Sequence, residues 1–179
     1  MVIIQNYELV NKSDDDFFYV KSNEIINCPC CEEKLKVIGS RKRGVIEHDG
    51  NKRSLIVRRL RCIKCGRIHH ELPDVLVPYK RYSSDTVENI LSSHDIKSSD
   101  IPCEISTAIR IKIWFFILCK YFESTLMALS FLYENNSDLC KEISNLIPCL
   151  KPRAGFTGWL KKLVRYIVNS GRWRHTRSA

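Results

Sequence analysis

Four cysteines have the spacing of ligands in a tetrahedral metal site. Cys28 and Cys31 form one C-x-x-C motif, Cys62 and Cys65 form a second, and thirty residues separate the two. Each pair places two thiolates one ligand span apart, and two such pairs can close a site around Zn²⁺. We therefore predict that these four thiolates bind zinc. Because four cysteine ligands leave no open position for water, the ion is expected to be structural.

Neighbouring side chains offer alternative ligands. Cys30 lies inside the first motif, and His69 and His70 follow the second. The spacing favours Cys28 and Cys31 over Cys30, and the two histidines fit a strand over residues 67–72, but the sequence leaves these alternatives open. The remaining cysteines lie among apolar residues, as buried free thiols do: Cys103, Cys119, Cys140 and Cys149.

The cysteine content favours metal binding over disulfides. The chain contains nine cysteines, an odd number, and its first residues lack the basic and apolar regions of a secretory signal. Paired C-x-x-C motifs in a reducing compartment are typical of metal sites. We therefore expect a cytoplasmic protein.

The residues between the two motifs have the pattern of a β-hairpin. Residues 35–38 and 55–60 are strand-like, and Asp49 and Gly50 lie in the turn between them. Glycine tolerates the positive φ angle that a tight turn needs. The return strand brings Cys62 back beside the first motif, which predicts a zinc ribbon. The metal would contribute on the order of 10 kcal/mol to the folding of so small a unit.

Positive charge is concentrated in two segments of the chain. The net charge is +9, and residues 28–82 and 151–179 each carry +8, whereas residues 1–27 carry −3 and residues 83–150 carry −4. Basic segments of this density are typical of proteins that bind phosphate-rich partners, because Lys and Arg release condensed counterions. A solvated basic surface, or attraction to anionic lipid, is the alternative. We expect DNA, although charge alone does not distinguish it from RNA.

The candidate phosphate contacts lie on the hairpin and in the C-terminal segment. Arg59 and Arg61 share one face of their predicted strand, because side chains alternate between faces. A guanidinium group binds phosphate oxygens bidentately. The last predicted helix has basic residues opposite an apolar face. The candidates in these two segments are Arg41, Lys42, Arg43, Arg58, Arg59, Arg61, Lys161, Lys162, Arg165, Arg172 and Arg174.

The chain after residue 82 is predicted to be entirely helical. Apolar periodicity and capping residues Asp85, Ser137 and Thr157 support this assignment. The apolar run 113–119 is too short and too closely flanked by charges for a membrane span, which predicts a core helix and no membrane contact. The predicted helices cover residues 85–94, 104–122, 125–133, 137–146 and 157–169.

An enzyme is not expected. A nuclease domain that uses two metal ions needs three spaced carboxylates on a sheet to hold them, and no strands are predicted after residue 82. The sequence also lacks a glycine-rich phosphate loop and a nucleophile with a recognisable base partner. The acidic run 14–16 has the composition of a solvated arm.

Residues 83–114 have the layout of a helix-turn-helix. One amphipathic helix is followed by a break over 94–102, and Ser106, Thr107 and Arg110 then open a second helix. The N-terminal turns of such a helix enter the major groove of DNA. A core helix of a small bundle is the alternative, because the second helix is apolar nearly all round.

The segment from the first C-x-x-C motif to residue 82 resembles a known family. It contains Cys-Pro-x-Cys, Lys-Val-Ile-Gly-Ser-Arg-Lys-Arg, Leu-Ile-Val-Arg-Arg-Leu-Arg-Cys-Ile-Lys-Cys-Gly and Val-Pro-Tyr-Lys-Arg-Tyr. These residues resemble an uncharacterised bacterial family that joins a zinc ribbon to a helix-turn-helix-like region. That family is similar in layout to the DNA-binding front ends of insertion-sequence transposases. The resemblance covers residues 27–114, with weaker similarity in the last helix and the Trp-Arg-His-Thr-Arg segment.

The resemblance implies roles for particular residues. It assigns the metal ligands to the four cysteines of the C-x-x-C motifs and places Ser106, Thr107 and Arg110 on a recognition helix. Ribbons usually have glycine after the second cysteine, where this chain has Glu32. That difference bears on the turn of the first motif, because glycine eases such turns.

These observations together predict an α+β fold with a small N-terminal β zinc ribbon, followed by an all-α helical region that holds a helix-turn-helix-like segment. The predicted domains are an acidic arm over residues 1–26, the ribbon over 27–82, and a helical domain with a basic tail over 83–179. The expected function is zinc-dependent DNA binding, in a mobile element or as a transcriptional regulator. The alternative is an interaction module that binds a transposase or polymerase subunit. The sequence gives neither the target site nor the oligomeric state.

Overall fold

A computed structural model describes residues 1–11, 17–93, 101–151 and 155–174. The acidic run 14–16 and most of the break over 94–102 lie outside these ranges. The strands are β1 (Val2–Ile4), β2 (Tyr7–Val10), β3 (Phe17–Ser22), β4 (Leu35–Ile46), β5 (Lys52–Cys62) and β6 (Ile68–Pro73). The helices are α1 (Ser84–Ser92), α2 (Ile105–Leu132), α3 (Ser137–Ser144) and α4 (Trp159–Asn169), and a short 3₁₀ turn covers Pro148–Leu150.

The six strands form one mixed sheet with β5 at its centre. Strand β4 pairs antiparallel with β5 along its whole length. The other edge of β5 is shared by β3, which is parallel to it, and β6, which is antiparallel. Strand β1 lies beside β6, and β2 lies beside β3. Strand β5 therefore has paired neighbours on both edges at residues 54–56 and 59–61.

This sheet shows that the predicted fold class is wrong. The predicted hairpin is present as β4 and β5, with Gly50 at a φ of 82° in its turn, and β6 is the predicted third strand. However, residues 2–22, which lie in the predicted acidic arm, form three further strands. Their short apolar runs, 2–4 and 17–20, are too brief to show a clear alternation. The acidic residues between them favoured a solvated interpretation.

One hydrophobic core joins the sheet to the helices. Ile3 and Leu55 from the sheet and Val87, Phe122 and Leu163 from the helices are all buried in it. Asn169 near the end of α4 bonds both backbone groups of Ile3, at 2.8 and 3.0 Å. The sheet and the helical region therefore do not fold around separate cores.

Helix α2 is longer than predicted. The two helices expected over 104–122 and 125–133 form one continuous helix. Ser124 and Thr125 donate hydrogen bonds back to the Tyr121 carbonyl, at 3.1 and 2.7 Å, instead of interrupting the helix. Phe122 and Leu126 are fully buried and continue its core face.

The apolar run 113–119 is predicted to be too short to cross a membrane. This prediction is wrong about length, because the run lies within the 28-residue helix α2. Among the described residues, α2 is the one helix long and apolar enough to cross a membrane, with about a third of its apolar window buried. A core helix of a soluble protein passes the same test. Its buried side chains are Ala108, Ile111, Trp114, Phe115, Leu118, Phe122, Thr125, Leu126 and Leu129.

The N-terminus of α4 is capped by a residue from another helix. Thr157 was expected to cap it, but Gly158 occupies the cap position with a φ of 83° and has no side chain to offer. Instead, the buried carboxylate of Glu88 accepts hydrogen bonds from the backbone nitrogens of Gly158 and Leu160, at 2.7 and 3.0 Å. A carboxylate at a helix N-terminus accepts hydrogen bonds from unpaired N–H groups, and its negative charge interacts favourably with the positive end of the helix dipole.

We expect Glu88→Ala to lower the free energy of unfolding by about 1–3 kcal/mol, because it leaves two backbone donors without partners in a buried site. Urea denaturation followed by circular dichroism measures this change. Glu134→Ala removes an exposed carboxylate and should change stability by less than about 0.5 kcal/mol. Equal effects of the two substitutions would contradict the capping role.

Candidate metal centre

The two C-x-x-C motifs lie at the two ends of the long hairpin. Cys28 and Cys31 precede β4, and Cys62 and Cys65 end β5 and follow it. The register of the hairpin pairs Leu35 with Cys62, which returns the second motif to the first. The Ile63 nitrogen also donates to the Lys34 carbonyl at 3.3 Å. Ordinary strand pairing therefore assembles the site.

The four sulfurs have the spacing of a tetrahedral thiolate site. Cys28 Sγ lies 3.7 Å from Cys65 Sγ, and Cys31 Sγ lies 3.5 Å from Cys62 Sγ. All four sulfur atoms lie within 4.8 Å of one another. A tetrahedral ion with metal–sulfur bonds of about 2.3 Å separates its ligands by about 3.8 Å. These sulfur–sulfur distances are far longer than a disulfide bond of about 2.05 Å, and the cysteines are free thiols. The group can therefore bind a metal ion.

The two motifs have the same backbone turn. The nitrogen of Glu32 donates to the Cys28 carbonyl at 2.8 Å, and the nitrogen of Gly66 donates to the Cys62 carbonyl at 3.1 Å. Glu32 has a φ of 60° and Gly66 a φ of 69°. Glu32 therefore adopts the left-handed conformation that glycine would ease, so its presence does not alter the turn. It does carry the cost of a side chain in that region.

The thiols of the site differ in their affinity for protons. Burial raises the pKa of Cys28 to about 12. Burial also acts to raise the pKa of Cys62, but backbone N–H groups of Cys65 and Lys64 outweigh it and lower that pKa to about 6. Without a metal, Cys28 therefore keeps its proton at neutral pH, whereas Cys62 is ionised. A bound cation deprotonates all of its thiol ligands.

The alternative ligands take different positions. Cys30 is exposed, and its Sγ accepts a hydrogen bond from Arg67 at 3.1 Å. His69 is buried, and its Nε2 lies 3.4 Å from Cys28 Sγ. Burial lowers the pKa of His69 to about 4, so its ring is neutral. His70 is its neighbour in the strand and points to the other face of the sheet. Neither Cys30 nor His69 lies in the four-cysteine group.

The basic residues of the hairpin separate into two faces. Lys36 pairs directly with Arg61, and Gly39 pairs with Arg59. The side chains of Lys36, Arg59 and Arg61 therefore lie on one face. His70 pairs directly with Arg59, which puts it on the same face. Burial and the positive charges of Arg41, the N-terminus, Arg59 and Arg43 lower the pKa of His70. We call this set the hairpin face: Lys36, Arg41, Arg43, Arg59, Arg61 and His70.

Several predicted nucleic-acid contacts instead pair with carboxylates of the protein. Arg58 forms a two-pronged bond with the buried Glu71, at 2.5 and 2.7 Å. The basic residues of α4 pair with three carboxylates from other parts of the chain: Lys161 with Asp85 at 2.9 Å, Lys162 with Glu142 at 2.6 Å, and Arg165 with Glu24 at 2.9 Å. These four side chains contribute to the packing of the fold.

The remaining candidates lie at the surface. Lys42 lies on the other face of the hairpin, 4.0 Å from the centre of the Phe17 ring. Ser106 and Arg110 are exposed in the first turns of α2, and Thr107 is half-buried. Arg172 and Arg174 follow α4 and are exposed. The structure does not bring these residues together with the hairpin face into one group of contacting side chains.

Sequence reasoning missed some residues that matter to the site. Lys36 belongs to the hairpin face, and the register of the predicted hairpin places it opposite Arg61. Glu71 neutralises Arg58, and its position two residues after His69 places both on the same face of β6.

We expect Cys62→Ser to abolish stable metal binding and to destabilise residues 28–72, because it removes a ligand and frees both ends of the hairpin. Elemental analysis after dialysis against a chelator measures the first effect, and hydrogen exchange the second. Cys140→Ser, outside the cluster, should retain one ion per chain. Full metal content in Cys62→Ser would refute the ligand assignment.

We expect Glu32→Gly to raise the free energy of unfolding of the metal-bound protein by about 1 kcal/mol, since it relieves a left-handed conformation. Glu33→Gly is the matched control, because Glu33 has an ordinary negative φ and its replacement should be destabilising. Both are measured by urea denaturation. A loss of stability in Glu32→Gly would mean that its side chain makes a favourable contact.

A comparison with protein families finds one similarity. The model of a family described as a domain of unknown function (DUF6431) matches residues 28–111, a little under half of the chain. The match covers both C-x-x-C motifs, the hairpin, α1 and the first turns of α2. No curated protein and no solved structure matches the chain. The similarity therefore marks the metal centre and the segment after it as a recurring unit, and assigns it no activity.

Proposed function

We propose that the protein is a zinc-dependent DNA-binding protein that contacts the nucleic-acid backbone through the hairpin face and has no catalytic activity of its own. The observation that carries this proposal is the contrast between that face and the basic residues that pair within the fold, which are Arg58 and those of α4. Among the described residues, no carboxylate lies within ion-pair distance of Lys36, Arg41, Arg59 or Arg61. Clustered cations without counter-charges are typical of phosphate-binding surfaces.

The identity of the metal is part of the proposal. Sets of four thiolates bind zinc or belong to iron–sulfur clusters, and single tetrahedral ions in paired C-x-x-C motifs are typically Zn²⁺. Zinc at this site would fix the loop before β4 to the end of β5. The arginines of β5 lie immediately before that point, so the ion would hold them in a rigid strand. A reducing, cytoplasmic location fits nine free cysteines.

Helix α2 is the candidate for reading bases. Ser106 and Arg110 are exposed in its first turns, as a recognition helix requires. Short polar side chains and an arginine can reach base edges in the major groove. The resemblance to transposase front ends supports a role in a mobile element or in transcriptional control.

A second candidate is an interaction module for a protein partner, such as a transposase or polymerase subunit. The exposed apolar side chains of α2 favour it: Ile109 is 41% exposed, Ile113 52%, Phe116 81% and Ile117 56%. Apolar surface of this kind often marks a protein contact. The two functions predict different responses to salt, because phosphate contacts release counterions and apolar contacts do not.

We expect the double substitution Arg59→Ala/Arg61→Ala to weaken binding to duplex DNA roughly tenfold or more. It should also reduce the slope of log affinity against log salt by about 1.8, since about 0.9 is lost for each phosphate contact. Fluorescence anisotropy at several salt concentrations measures both. The matched control is Lys161→Ala/Lys162→Ala, which removes the same charge from residues that pair within the protein. A control that loses as much slope would show that only net charge matters.

We expect Arg110→Ala to relax sequence preference more than it lowers non-specific affinity, because a base contact discriminates by about 1–3 kcal/mol. Selection of bound oligonucleotides from a random pool measures the preference. Lys120→Ala, an exposed change further along α2, should leave it intact. An unchanged preference in Arg110→Ala would place base reading elsewhere, and no binding to DNA in any variant would favour the interaction module.

A further inference from the structure

A second group of metal-binding atoms lies beside the four-cysteine site. Cys28 Sγ, Cys30 Sγ and a ring nitrogen of His69 all lie within 4.8 Å of one another. Cys28 belongs to both groups, so the two sites share one sulfur. Two sulfurs and an imidazole nitrogen are ligands that zinc and cadmium prefer.

The three side chains are positioned by different parts of the fold. Cys30 is held by Arg67, whose Nη1 donates to its sulfur at 3.1 Å. His69 is 5% exposed, and its Nε2 faces Cys28 Sγ at 3.4 Å. Its other ring nitrogen lies 3.1 Å from the Met1 nitrogen. These two contacts hold the ring in place beside the Cys28 sulfur.

Cys28 Sγ belongs to both groups and can serve as a ligand in each. A thiolate has more than one lone pair, so Cys28 can donate to two ions at once.

We propose that Cys28, Cys30 and His69 form a second, weaker metal site that takes a thiophilic divalent cation such as Zn²⁺ or Cd²⁺, with Cys28 bridging the two ions. Binding is weaker than at the first site, because the new site has three protein ligands and shares one of them. Cys30 is exposed, so the remaining coordination position is open to solvent. This inference does not depend on DNA binding, and its failure would leave the hairpin face unaffected.

The same contacts allow a simpler arrangement, in which His69 only donates a hydrogen bond to the Cys28 thiolate and no second ion binds. The number of bound ions separates the two arrangements. It can be counted in the full-length protein, reduced and stripped of metal, by native mass spectrometry during titration with Cd²⁺. The same titration with Co²⁺ adds an optical readout, since thiolate-to-cobalt absorption reports the sulfur ligands.

We expect two Cd²⁺ ions per chain at saturation, with the second bound at least tenfold more weakly than the first. Cys30→Ser should hold one ion with the first affinity unchanged within about threefold, and it should fold because the side chain is exposed. His69→Gln should also lose the second ion. Cys140→Ser, a cysteine outside both groups, should keep two. Saturation of the wild-type protein at one ion, or two ions retained in Cys30→Ser, would overturn the proposal.

Discussion

The constraint on which the structure most depends is the approach of four sulfurs at the ends of one hairpin. Their separations of 3.5 and 3.7 Å suit a single tetrahedral ion. The hairpin contributes β5, the strand that pairs with β3, β4 and β6. An ion that closes this hairpin therefore acts on the central strand of the sheet. A metal ion bound there would stabilise more of the sheet than the loops that supply its ligands.

The alternation of side chains along β5 divides its arginines between two tasks. Arg58 points to the face that holds Glu71 and is neutralised there. Arg59 and Arg61 point to the other face, where no carboxylate among the described residues pairs with them. The position of a single residue thus decides whether a guanidinium group supports the fold or stays available to a partner. The basic residues of α4 are neutralised in the same way as Arg58, because each pairs with a carboxylate from another part of the chain.

The local parts of this structure could be predicted from the sequence, and the long-range parts could not. The hairpin, its glycine turn and the four ligands follow from spacing and turn chemistry, which are properties of neighbouring residues. The strands of residues 2–22 are short, and β1 and β3 pair in parallel with strands far along the chain. Such pairing leaves no local signal. The union of two predicted helices in α2 was missed because Ser124 and Thr125 usually weaken a helix, whereas here they bond back to it.

The capping of α4 shows the same limit for side chains. A carboxylate from α1 satisfies the first N–H groups of α4, and seventy residues separate Glu88 from Gly158. The basic tail had a clear composition but an ambiguous role. Trp173, which lies between two arginines in the sequence, stacks on the buried Phe122, with 5.7 Å between the ring centroids. Composition identified the basic residues, but only the structure showed which of them pair with carboxylates of the protein.

X-ray absorption at the zinc edge of the purified, full-length protein, loaded with one equivalent of Zn²⁺, identifies the atoms bound to the ion. We expect a first shell of four sulfurs at about 2.3 Å, and no nitrogen or oxygen ligand. A first shell that contains nitrogen or oxygen, or a metal-free protein whose hairpin stays as well ordered as that of the loaded one, would contradict a structural four-cysteine zinc site.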